Sequence, residues 1–181
     1  MKRPAMLLAA TVIAVVSGGP ADAALSKTGN ASVAFNAAGP AGMKITGTTS
    51  DFQVSENGGQ ISLKVPLGNL TTGIALRDRH MREKYLEVQT YPNAELSVAR
   101  SSLKLPAAGA SSSGDAQGKM KIHGKEKDVT FHYTVQKQGS AYAVTGSVHL
   151  LLGDYGITVP SYLGVTVKPD IDVNVQFAAT E

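Results

Sequence analysis

The stretch Gly118-Lys119-Met120-Lys121-Ile122-His123-Gly124-Lys125-Glu126-Lys127-Asp128-Val129-Thr130-Phe131-His132-Tyr133-Thr134-Val135 decides the fold. Val129, Phe131, Tyr133 and Val135 alternate with Thr130, His132 and Thr134, and Met120 and Ile122 alternate with Lys119, Lys121 and His123. A period of two puts one set of side chains on a buried face and the other in water, as in a strand. Gly124-Lys125 between the runs has the chemistry of a tight hairpin. A two-residue turn there sets Met120 opposite Val129, His123 opposite Glu126 and Lys121 opposite Asp128.

The pattern extends in both directions. Tyr142, Val144, Val148 and Leu150 alternate with Thr145, Ser147 and His149. A turn at Gln138-Gly139 sets Val135 opposite Tyr142, Tyr133 opposite Val144 and Gly146 opposite Phe131, keeping apolar residues together. Ile61, Leu63, Val65 and Leu67 alternate near the start, and Ile171, Val173, Val175 and Phe177 near the end. Eight strands are expected, at about 31–37, 41–54, 59–68, 93–105, 115–123, 126–138, 140–152 and 169–178. Asn57-Gly58-Gly59 suits another hairpin. The fourth strand changes phase between Val98 and Leu103, which a bulge near Arg100 to Ser102 would explain. Ala107 to Gly114 reads as a small-residue loop.

Two segments interrupt the alternation. Residues 69–92 form a long crossover with one short helix, about Arg77 to Glu87, whose partly apolar face holds Leu76, Met81 and Tyr85. Residues 153–168 form a second insertion rich in Gly, Pro and Tyr. Long structured insertions in a β domain often serve as lids or binding loops. The class is all-β and antiparallel, and alternation alone leaves a barrel and a sandwich equally open.

The N-terminus reads as an address. Lys2 and Arg3 precede an apolar run from Met6 to Val16, and Ala21-Asp22-Ala23 offers a small-x-small cleavage pattern. Residues 1–23 are expected to be a secretory signal peptide cleaved after Ala23, with one domain over 24–181. The apolar run is shorter than the roughly 20 residues of a spanning helix. The protein is therefore expected in the periplasm or secreted, with no stable membrane span. Removing Lys2, Arg3 and Asp22 from 17 basic and 14 acidic residues leaves 15 and 13, a net of +2. No basic stripe appears, so no nucleic-acid partner is expected. The absence of Cys removes disulfides, thiolate chemistry, Cys-based metal sites and cysteine lipidation.

Catalytic motifs are missing: there is no G-x-S-x-G and no P-loop. His80, His123, His132 and His149 form neither H-x-H nor H-E-x-x-H, so no metal is expected. The three strand histidines read as surface residues. His80 divides between a structural role and contact with a ligand head group. Arg77, Asp78, Arg79 and Arg82 have the guanidinium forks to bind a phosphate. Asp78 beside them favours internal ion pairing instead. The inward set is the remaining candidate site: Phe35, Ile45, Phe52, Leu63, Val65, Leu96, Met120, Val129, Phe131, Tyr133, Val144, Val148, Val173 and Val175. It is either a filled core or the wall of a lipid pocket.

Several motifs in order resemble the YceI-like family of exported, lipocalin-like proteins. Ser32-Val33-Ala34-Phe35 is similar to its opening S-x-V-x-F. Thr72-Gly73-Ile74 with Arg77-Asp78-Arg79-His80-Met81-Arg82 resembles its T-G-x then R-D-x-h-x-R, and Tyr91-Pro92 its Y-P. Gly118 to Gly124 with Lys127 and Val129 matches G-x-L-x-I-x-G-x-x-K-x-V, and Tyr155-Gly156-Ile157 resembles F-G-I. The chain departs where Lys27-Thr28-Gly29-Asn30 stands in place of an aromatic and an Asp, and where Asp128 replaces a Pro. The resemblance implies an eight-stranded antiparallel lipocalin-like barrel with a long apolar cavity. It implies a periplasmic binder or carrier of a polyisoprenoid, quinone or similar amphiphile and does not imply a catalytic activity; no cofactor is expected. Arg77, His80 and Arg82 then stand as head-group contacts. The alternatives are a small outer-membrane barrel, which would be apolar outside, and an enzyme on a lipocalin-like scaffold.

Overall fold

The computed structural model describes residues 24–162 and 165–181. The signal-peptide expectation falls on residues 1–23 and lies outside them. The strands are β1 (Ser26–Ala38), β2 (Lys44–Thr49), β3 (Gln53–Asn57), β4 (Gln60–Pro66), β5 (Asn93–Ala99), β6 (Ser111–Ile122), β7 (Lys125–Gln138), β8 (Ala141–Leu151), β9 (Ser161–Tyr162), β10 (Val165–Thr166) and β11 (Asp170–Thr180). Nine of them form one antiparallel sheet, ordered β2-β1-β11-β8-β7-β6-β5-β4-β3. β9 and β10 pair separately as a small hairpin. The sheet curls into a half-barrel, bringing β3 against β1 across the gap. There the Leu25 N–H donates to Glu56 Oε2 at 3.1 Å.

The sheet has nine strands instead of eight because the expected strand 41–54 is broken at Ser50–Phe52. β2 points odd-numbered residues inward, Gly47 and Thr49 among them, whereas Phe52 and Val54 point even-numbered ones. The break absorbs one residue of phase, so both Ile45 and Phe52 reach the interior. The fourth expected strand behaves similarly. β5 ends at Ala99, and the phase change is a 3-10 turn at Arg100–Ser102 in place of a bulge. Leu103 and Leu105 then pack on the core outside any strand.

The hairpin registers differ from expectation by a one-residue shift of each turn. His123 and Gly124 form the first turn, both left-handed at φ 51° and 72°, so Met120 faces Lys127 and Gly118 faces Val129. A turn with two left-handed central residues favours glycine second, and His-Gly meets that where Gly-Lys does not. Gly139 and Ser140 form the second, setting Val135 opposite Val144 and Tyr133 opposite Gly146. Moving a two-residue turn by one position changes every partner by two and leaves each side chain on its face. The Gly58-Gly59 turn stands as expected, joining Asn57 to Gln60. Ser111 to Gly114, expected in a loop, instead extend β6 against Tyr133 to Gln136.

The crossover after β4 holds helix α1 (Ala75–His80), which runs on as a π-turn over Met81–Tyr85. The second insertion begins with a 3-10 turn at Leu152–Tyr155. Both lie at one end of the curled sheet. At the other end Leu25, Val54, Ile61, Val98, Val135 and Tyr142 pack closely around a void of only about 80 Å³, the filled end of the sheet, with Phe52 edge-on to Phe177 at 5.5 Å.

Candidate functional site

The interior is hollow at the insertion end. A cavity of about 610 Å³ opens there, a size typical of small-molecule sites. Of the expected inward residues, Phe35, Ile45, Phe52, Leu63, Val65 and Leu96 line it, as do Met120, Phe131, Val148, Val173 and Val175. Tyr133 and Val144 do not: they line a void of about 80 Å³ nearer the filled end. Val129 borders neither and packs half-buried against the core.

Small residues help make the room. Gly47 pairs with Phe35 across β1 and β2, and a Cβ there would meet the Phe35 ring at 2.1 Å. The glycine lets that ring lie flat against the β2 backbone. Gly146 borders both voids.

The insertions supply wall that the strand pattern did not reveal. Leu67, Leu70, Ile74, Leu76, Met81 and Leu86 come from the first, and Leu152, Tyr155, Ile157 and Val167 from the second. The apolar face of Leu76, Met81 and Tyr85 was the available signal for the first group. Tyr155 is 2% exposed, and burial, with the neighbouring Asp154 carboxylate, pushes its phenol up to about 12. Tyr85 Oη donates to the Ser161 carbonyl at 3.3 Å, joining the two insertions beside the cavity.

Polar side chains gather where α1 meets the opening. Thr72, Arg77 and His80 line the cavity, and Arg82 does not. Arg77 donates from Nε to Thr72 Oγ1 at 2.7 Å and from Nη2 to the Thr72 carbonyl at 2.9 Å. Arg82 donates to the carbonyls of Gly68 at 2.9 Å and Asp78 at 3.2 Å. It is a strut between the helix and the preceding turn.

Asp78 is the pivot of this region, at 4% exposure. Its carboxylate accepts from the Thr71 hydroxyl, the Thr72 N–H and the Thr72 hydroxyl. Burial pushes the carboxyl up, but the Thr71 and Thr72 bonds and the Arg82 charge outweigh it and hold it below its usual range. In place of the expected ion pair with Arg77 or Arg82, the carboxylate is held by two hydroxyls and an amide, and Arg82 acts on it only through its charge.

The remaining histidines have structural partners. His132 meets Asp115 and His149 meets Asp172 on exposed faces, both at 2.8 Å. His123 departs from the expected surface role. It sits in the β6–β7 turn, 15% exposed at its side chain, against the Tyr91 ring at 4.5 Å and Glu87 at 3.2 Å. Among the described residues no cluster of three or more His, Asp or Glu is placed to hold a metal. No helix among them is long and apolar enough to cross a membrane.

Solved structures share the fold. A polyisoprenoid binding domain from Saccharophagus degradans aligns at TM-score 0.73 and 17% identity, covering 86% of this chain and 97% of that one. Burkholderia cenocepacia BcnA aligns at 0.66 and 17%, covering 83% and 96%. The Campylobacter jejuni YCEI protein aligns at 0.56 and 15%, covering 76% and 85%. No match is found among curated proteins. The model of the YceI-like domain matches residues 25–179, nearly the whole described chain, and the protein belongs to the YceI-like family.

Proposed function

We propose that the protein binds a polyisoprenoid, quinone or similar amphiphilic lipid in the half-barrel and carries it through the periplasm after removal of residues 1–23. The observation that carries this reading is the hollow of about 610 Å³ walled by apolar side chains. A prenyl tail suits such a wall, because each buried CH2 contributes about 0.8 kcal/mol. A polar head resists burial and stays at the opening, within reach of Thr72, Arg77 and His80. Arg82 acts one step removed, by fixing α1. The Saccharophagus relative, described as a polyisoprenoid binding domain, supports the ligand class.

The outer faces favour a carrier over a membrane-embedded barrel. Lys119, Asp128, His132 and Asp172 stand exposed on them, where a membrane barrel needs an apolar band. We infer a binding role in preference to catalysis, and turnover abolished by substituting His80 or Arg77 with binding intact would reverse that. Native mass spectrometry of protein purified from its own cell envelope tests the main reading. A co-purifying mass of prenyl-lipid size is expected. An apo mass that does not change on adding isoprenoid alcohols or quinones would overturn it.

A further inference from the structure

The opening carries a surface that holding a ligand does not require. Four large apolar side chains stand exposed among the described residues, and three of them, Met43 (39%), Ile74 (53%) and Leu76 (43%), rim the cavity. They come from two separate segments, the turn after β1 and the entry to α1. Thr48 and Thr71 exchange backbone hydrogen bonds at 2.8 and 3.0 Å, tying β2 to the second segment. The Lys168 N–H donates to the Ala38 carbonyl at 2.6 Å, bringing a third segment to the first.

Cations outnumber carboxylates around this rim. Residues 39–44, 71–77 and 166–169 contain the cations Lys44, Arg77 and Lys168 and no carboxylate. Arg79 follows, exposed, while Asp78 beside it is buried and satisfied by threonines. The acidic residues of this end are Glu83 on the π-turn, Asp154 in the second insertion, Glu87 against His123, Glu95 on the cavity wall and Asp170, half-buried at the start of β11 beside Lys168, so the exposed charges of the rim segments are the cations.

We propose that this rim docks on a bilayer containing anionic lipid, with Met43, Ile74 and Leu76 entering the interface and Lys44 and Lys168 facing the phosphates. Apolar side chains ringed by cations are what interfacial binding uses. The geometry gives docking a purpose, and here the inference rests on the proposed function: an amphiphile passes between bilayer and cavity without exposing its tail to water.

The test is flotation of the exported chain with phosphatidylglycerol/phosphatidylethanolamine vesicles and with phosphatidylcholine vesicles. Wild type should float with the first and not the second, and added salt should release it. K44Q/K168Q should weaken that partition about thirtyfold, at about 1 kcal/mol per lysine. I74S/L76S should abolish it, with strand circular dichroism retained. K44Q/K168Q, whose side chains lie outside the cavity, should bind fluorescently labelled farnesol in solution as wild type does but take it up from vesicles about thirtyfold more slowly. Three results would overturn the proposal: no flotation of wild type, flotation indifferent to phosphatidylglycerol, or a dimer on gel filtration that I74S/L76S dissolves. Failure to bind farnesol or other prenyl probes in solution, with flotation intact, would remove the carrier reading and leave docking standing.

Discussion

The two ends of the curled sheet are built from the same strands with the same alternation, yet one closes to a void of about 80 Å³ and the other opens a cavity of about 610 Å³. At the filled end Tyr133, Tyr142 and Phe177 share a core with Val54, Ile61, Val98 and Val135. At the hollow end the same strands offer Val148, Val173, Val175 and Gly146, and the insertions hold the walls apart. Side-chain volume decides the filled end, while the hollow end depends on the Asp78–threonine cluster that seats α1. The ends are closed by different chemistry as well. Arg100 bridges Glu56 at 2.7 Å and Glu181 at the filled end, and Lys137 reaches Glu181 at 3.5 Å.

If this contrast is right, substitutions at the two ends should differ in kind. Phe177→Ala at the filled end should cost about 3–5 kcal/mol in denaturant unfolding, as the loss of a large buried ring does. Asp78→Ala leaves the Thr72 N–H and two hydroxyls without their acceptor and should cost about 2–3 kcal/mol. It should also remove ligand binding by releasing α1. Arg100→Met should cost about 2 kcal/mol, since it breaks two ion pairs and leaves the Glu56 carboxylate, 8% exposed, with the Leu25 N–H as its donor. Val173→Phe, which puts a ring into the cavity, should leave unfolding stability within about 1 kcal/mol of wild type and yet weaken prenyl uptake. A large stability loss from Val173→Phe, or none from Phe177→Ala, would break the comparison.

Acid should act on both ends with one sign. The folded carboxyls of Asp78 and Glu181 are held low: Asp78 against its own burial by the threonines, Glu181 by the Arg100 and Tyr142 bonds. Each then stabilises the fold fully above its unfolded value, near 3.8 for Asp78 and 4.5 for Glu181, and that stability is lost as pH falls through the folded value. Asp78→Asn and Glu181→Gln should each flatten the acid limb of stability.

Much of the filled end was legible in the sequence, because alternation names the face of each residue and burial follows from the face. Registers were not, since shifting a turn by one position leaves every face unchanged. Only backbone conformation at His123 and Gly139 distinguishes the two pairings. The cavity was legible in its strand wall, through Phe35, Leu63 and Val173, and illegible in its insertion wall. Leu70 and Ile157 follow no period that would mark them as inward. Arg77 and Arg82 look alike in sequence. The direction each takes from α1 makes one a rim residue and the other a strut.

The pairing of β1 with β11 has a kinetic consequence. Ser26 lies beside Thr180 and Val33 beside Val175, so the first strand finds one of its two neighbours in the last. The run β3 through β8 is made of neighbours in sequence and can assemble locally, but β1 and β2 enter its hydrogen-bonded ladder only through β11. Closure therefore waits for the whole chain and carries the entropy of the longest loop, which slows folding. A chain still being made has a meander but no joined sheet, and it cannot enclose a ligand before its last strand has emerged.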